Sequence, residues 1–173
     1  MFVMLYLDIF KWLMLRNEVY WTGLHVVPIL LLANLLLGIY YNFSVWYKVT
    51  DRTEWGAYIS LIGAGITIIF NLIFIPKYSY TAAAWVTLAA YSVMTLLSYF
   101  IGQRYYAIPY PTSKMILYIV TAIGCWLISD FLTSISLFSH VGLRYSVHTA
   151  IFVAYLLMAY QLEKSSIIKY FFR

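Results

Sequence analysis

Asn71 lies in the stretch "IIFNLIF", a full amide flanked on both sides by bulky apolar side chains. A primary amide carries two donors and an acceptor oxygen, and in apolar surroundings these need a partner or water. Asn34 in "LLANLLL" poses the same problem, and Asp130 in "CWLISDFLTS" is the only acid set within a long apolar run. Leading up to Asn71, the residues Gly56, Ser60, Gly63, Ala64 and Thr67 recur at steps of three and four, which is one stripe of a helix. Thr87, Tyr91, Thr95 and Ser98 repeat in the same way, as do Ser146, Ala150 and Ala154, and Asn34, Gly38, Tyr41 and Asn42. Hydroxyls, amides and phenols so arranged suit a neutral or polyhydroxylated polar cargo. The competing reading is close helix packing, where small residues let backbones approach and Ser, Thr or Asn bond across. Asn34, Thr67, Asn71, Thr87 and Tyr91 are the candidates for a polar cavity. Asp130 is a candidate ion-coupling site, since an ionisable group inside a span is a functional hypothesis by default. Its place toward the end of its run equally suits a carboxylate that reaches the aqueous boundary.

Other chemistry finds little footing. No Asp-rich cluster could hold a metal-bound diphosphate, no Ser/His/Asp set is present, and no Gly-rich loop precedes a helix; "GAG" at Gly63 is too short a match to count. His25, His140 and His148 show no metal-ligand spacing and read as buried or interfacial histidines. Cys125 is the single cysteine, so no internal disulfide can form. The chain is expected to be no enzyme, with neither metal nor cofactor.

The elements that must carry these residues follow from composition. Of 173 residues 64% are hydrophobic and 10% charged, against about 25% charged in an ordinary soluble domain. Such a chain cannot cover its own apolar surface with polar groups, and a bilayer removes that need. The expected fold is all-α: a polytopic membrane helix bundle, a single membrane domain over 1–173. Five segments are long enough to cross, at about Leu24–Trp46, Trp55–Ile75, Ala82–Ile101, Met115–Leu137 and Leu143–Leu162. They are twice the length of barrel strands and do not alternate, which favours helices. Ahead of them "MFVMLYLDIFKWLML" is too short and too charged for a full span and lacks a signal-peptide pattern; it reads as the end of a span whose beginning is missing. Pro76, Pro109 and Pro111 fall at segment ends, and Pro28 in the first turns of its segment. Residues 163–173, "EKSSIIKYFFR", read as a basic amphipathic tail on the membrane surface. Tyr20, Trp21, Trp46, Tyr47, Trp55, Tyr78, Tyr80, Tyr105, Tyr106 and Tyr110 sit at the ends of apolar runs, where headgroups hold such rings.

Charge then gives orientation. Lys48, Asp51, Arg52 and Glu54 form the densest charged cluster, between two apolar segments. Counting alternate loops, one side holds Lys48, Arg52, Arg104, Lys114, Lys164, Lys169 and Arg173; the other holds Lys11, Arg16, Lys77 and Arg144. The positive-inside rule assigns the first side, with the C-terminus, to the cytoplasm. The basic residues are spread over loops, so the net charge of +5 indicates membrane orientation and not nucleic acid. The inner loops at Lys48, Arg52, Arg104 and Lys114 would attract a diphosphate head or anionic lipid.

Taken in order, "VVPILLLANLLLGIYYN", "WYKVTDRT", "FNLIFIP", "AAAWVTL" and "GQRYYAIPYP" resemble the C-terminal half of polysaccharide flippases. These are the O-antigen translocase type within the multidrug/oligosaccharidyl-lipid/polysaccharide exporter superfamily. The resemblance is strong from about Asp8 to Pro111, and beyond that only helix lengths agree. Two positions depart from the family pattern: Ser79 and Ala82 stand where the family usually places glycine. The resemblance implies one lobe of a two-lobed carrier in the bacterial inner membrane. Such a carrier moves undecaprenyl-diphosphate-linked oligosaccharide outward by alternating access for surface polysaccharide synthesis, driven by an ion gradient. It also implies a partner, the missing N-terminal lobe, so that the chain is either a fragment or one of two chains. The alternatives are a drug/cation antiporter lobe of the same superfamily, which would want more buried acids, and a non-transporting membrane subunit that docks on a partner through its small-residue faces.

Overall fold

The computed structural model describes residues 2–14, 18–134 and 141–171. Among them every regular element is helical: α1 Phe2–Leu5, α2 Leu7–Met14, a 3-10 stretch Glu18–Val26, α3 Val27–Phe43, α4 Val45–Val49, α5 Glu54–Tyr105, α6 Thr112–Ser134 and α7 Val141–Phe171. Four stretches are long and apolar enough to cross a bilayer: Gly23–Val49, Glu54–Tyr105, Thr112–Leu132 and Leu143–Lys164. The chain divides into two compact units, 17–110 and the pairing of 1–16 with 111–173.

In the first of these units α3 begins with Pro28 in its opening turn, where a missing N–H is harmless. The segment expected to start near Leu24 therefore becomes α-helical at Val27, after the 3-10 stretch. At the other end α4 closes in a Schellman turn. The Arg52 amide donates to the Tyr47 carbonyl at 2.8 Å, and Asp51 between them takes φ 55°. Short polar Asp tolerates this left-handed backbone better than most side chains. Glu54 follows in the first turn of α5, where the helix dipole favours an acid. The charged cluster is thus a helix stop followed at once by a helix start.

α5 is continuous in its residues but not in direction. Ser79 has φ 52° and ψ −139°, outside the helical region, and the chain turns back there. Trp55 meets Tyr105, with ring centroids 5.6 Å apart, and Gly63 abuts the Met94 side chain. Two arms, 54–78 and 80–105, therefore run antiparallel about Ser79. Each is about 25 residues, hence about 37 Å long, more than the ~30 Å hydrocarbon thickness. Pro76, expected at a segment end, instead lies inside the first arm, because the helix runs on until the break at Ser79. α3 packs on the hairpin through Tyr40, Ile59 and Met94, with Leu37, Tyr91, Leu97 and Ile101 around them. A polar tie crosses the same interface, the Thr95 hydroxyl donating to the Leu36 carbonyl at 3.0 Å.

In the second unit α6 and α7 are antiparallel. Tyr118 donates to Glu163 Oε1 at 2.8 Å near one end, and Ser129 Oγ meets His148 Nδ1 at 2.6 Å near the other. The N-terminal residues form two short helices and pack on α7: Phe2 lies against Phe152, and Tyr6 stacks on Tyr145. The expected end of the fourth segment, 135–137, lies outside the described residues. α7 carries on through most of the expected tail, of which 172–173 lie outside the described residues and the side chains of 165–171 are not described.

Candidate functional site

The hairpin register sets four of the five cavity candidates at similar heights along its two arms. With Gly63 opposite Met94, each turn forward on the first arm matches a turn backward on the second. Thr67 then falls level with Tyr91, and Asn71 level with Thr87. Both threonines give their hydroxyl proton to their own helix, Thr67 to the Gly63 carbonyl at 2.9 Å and Thr87 to Ala83 at 2.8 Å. What they leave free is lone pairs. Asn71 Oδ1 is buried and has no hydrogen-bond partner among the described residues. The Asn71 amide also carries two N–H donors and Tyr91 a phenol, so this rung offers both acceptors and donors to a polar group.

Asn34 does not join this rung. It lies on the exposed face of α3, where its amide donates to the Leu30 carbonyl at 2.9 Å, and Asn42 bonds Gly38 in the same way at 3.0 Å. Asn34, Gly38, Tyr41 and Asn42 are all exposed, while Ala33, Tyr40 and Phe43 on the opposite face are buried. The polar stripe read from the sequence thus points away from the hairpin. The glycines behave differently. Gly56 receives the Tyr47 ring, Gly63 the Met94 side chain and Gly102 the Trp46 indole, each so closely that a Cβ would come within 3.0 Å of it. These small residues admit neighbours from their own unit, as close packing requires.

Asp130 belongs to the other unit and is exposed near the end of α6. Lys114, read as a loop cation, sits in the first turn of α6 with its ammonium 3.7 Å from Glu163 Oε1. Lys48, Arg52 and Arg104 are exposed and gather at one end of their unit, where Arg52 lies over the Tyr105 ring; Lys77 lies next to the turn at the opposite end. Among the described residues no group of three His, Cys, Asp or Glu could hold a metal.

Two features escaped sequence reading. Ser129 and His148 form a buried pair, flanked by the rings of Tyr6 and Tyr145 at 6.4 and 6.3 Å. They are 19 positions apart on different helices, and no local spacing links them. Trp46 Nε1 and Ser98 Oγ are buried with no hydrogen-bond partner among the described residues. The Thr87, Tyr91, Thr95, Ser98 stripe included Ser98 but could not show the indole packed on Gly102, one turn further along.

On α7 the Ser146, Ala150, Ala154 stripe lines an open groove of about 640 Å³ with Thr149, Val153 and Leu157. Comparison of the chain with family models, with curated proteins and with solved structures found no match.

Proposed function

We propose that the chain is one lobe of a membrane carrier for undecaprenyl-diphosphate-linked oligosaccharide, working by alternating access in the bacterial inner membrane with its C-terminus in the cytoplasm. In this reading the two arms of α5 are separate spans, which makes five crossings with α3, α6 and α7. The observation that carries it is the outward stripe of Asn34, Gly38, Tyr41 and Asn42 on a helix apolar enough to cross. Lipid tails offer such amides nothing, whereas a water-filled cavity beside a second lobe does. The polar rung of Thr67, Asn71, Thr87 and Tyr91 supports a cargo that both donates and accepts hydrogen bonds, as sugar hydroxyls do. The family resemblance supplies the lipid-linked form of that cargo. A subunit that docks through small-residue faces has less behind it, since Gly56, Gly63 and Gly102 are already covered from within their unit.

The test is the leaflet distribution of the lipid-linked oligosaccharide in cells with and without the chain. Accumulation on the cytoplasmic leaflet without it, reversed by restoring it, is the expected result. An unchanged distribution would end the reading. Co-purification of a complementary six- to eight-helix lobe is expected alongside.

A further inference from the structure

Arg52 sits in the turn between α4 and α5 with its guanidinium carbon 4.7 Å from the centre of the Tyr105 ring. Tyr105 stacks in turn on Trp46, the rings 5.8 Å apart and 8° from parallel, and Trp46 is buried against Gly102. Guanidinium, phenol and indole thus form a chain of contacts that ends against a helix backbone at Gly102. The Arg52 amide is also fixed, bonded to the Tyr47 carbonyl within the Schellman turn. A guanidinium held this way gives up less freedom when a ligand arrives than a free one would.

The guanidinium lies over the Tyr105 ring, but the residue is exposed, which leaves N–H groups open to solvent. Asp51 and Glu54 are one and two residues away, yet neither forms an ion pair with it. Lys48 and Arg104 stand exposed at the same end, so three cations face two acids there. The depth is equally informative. Val49 and Tyr105 are the last residues of two apolar stretches, so Arg52 lies where hydrocarbon gives way to headgroups. A fixed fork of donors at that depth matches a phosphate held on a lipid.

We propose that Arg52, positioned by Tyr105 and Trp46 and flanked by Lys48 and Arg104, binds the phosphate of an anionic phospholipid headgroup. This rests on the membrane setting alone and holds whether or not the chain is part of a carrier. The purified full chain is reconstituted in phosphatidylcholine nanodiscs with a minor share of phosphatidylglycerol, extracted in detergent, and its retained lipids are counted by mass spectrometry. Phosphatidylglycerol is expected to be enriched over its share in the disc by about threefold or more. Arg52→Lys keeps the charge but loses the planar fork, and should remove most of that enrichment. Tyr105→Leu should do the same by freeing the guanidinium, with helical content by circular dichroism unchanged. Lack of enrichment in the wild-type chain would overturn the proposal, as would equal enrichment in wild type, Arg52→Lys and Arg52→Gln. Enrichment abolished by millimolar inorganic phosphate would also overturn it and reassign the site to a soluble anion.

Discussion

Ser79 occupies backbone that glycine enters freely, with φ 52°, and a side chain there costs about 1–2 kcal/mol. Ser79→Gly should therefore raise stability by about 1 kcal/mol, and Ser79→Val should lower it by at least as much. Chemical unfolding in detergent, followed by circular dichroism, checks both signs. Glycine at this position would meet the turn without that cost, and this chain meets it with a serine. Gly102 makes the opposite case: Trp46 Nε1 lies 2.8 Å from where a Cβ would stand. Gly102→Val should displace the indole and cost about 2–3 kcal/mol, as overpacking does, with a red shift of tryptophan emission as the sign. Burial raises the Tyr110 phenol above its ordinary value. The folded chain thus favours the neutral form, and its contribution to stability is whole below about pH 10 and falls as pH rises through the higher folded value. Tyr110→Phe should remove that part of the alkaline loss.

The arms of α5 were legible as two apolar runs, because hydrophobic composition marks spans well. Their joining was less so, since Pro76 looked like a stop and the helix ignores it for another two residues. Register follows from the turn. After Cys125→Ser, cysteines at Thr67 and Tyr91 should cross-link readily, and cysteines at Thr67 and Thr81 should not. Equal yields would mean that the arms slide or splay. Thr67, Asn71, Thr87 and Tyr91 were individually visible as polar steps on helices, and the hairpin makes them a rung. Asn34 was visible too, but period alone cannot say which side of a helix meets a neighbour. Periodicity showed the stripe, and packing of Tyr40 and Phe43 decided that it faces out. The Ser129–His148 pair was hidden because its partners are distant in sequence and each alone looks ordinary.

For the molecule within its membrane, sidedness is the first question. Cysteines placed at Arg52 and Lys77 should label from opposite sides of the bilayer, since the two lie at opposite ends of their unit. Labelling from one side would refute the arrangement. If the proposed carrier reading holds, Asn71→Leu in an intact carrier should cut transport at least severalfold while insertion is unaffected, because it removes a buried amide whose oxygen has no partner among the described residues. Unchanged transport would take Asn71 off the path of the cargo. The fold-back at Ser79 bears also on biogenesis. Between Trp55 and Gln103 the chain carries one charge, Lys77, beside the bend. An insertion machine could thus release both arms sideways as a preformed pair, with a single ammonium to carry to the far surface and no long loop to thread after it.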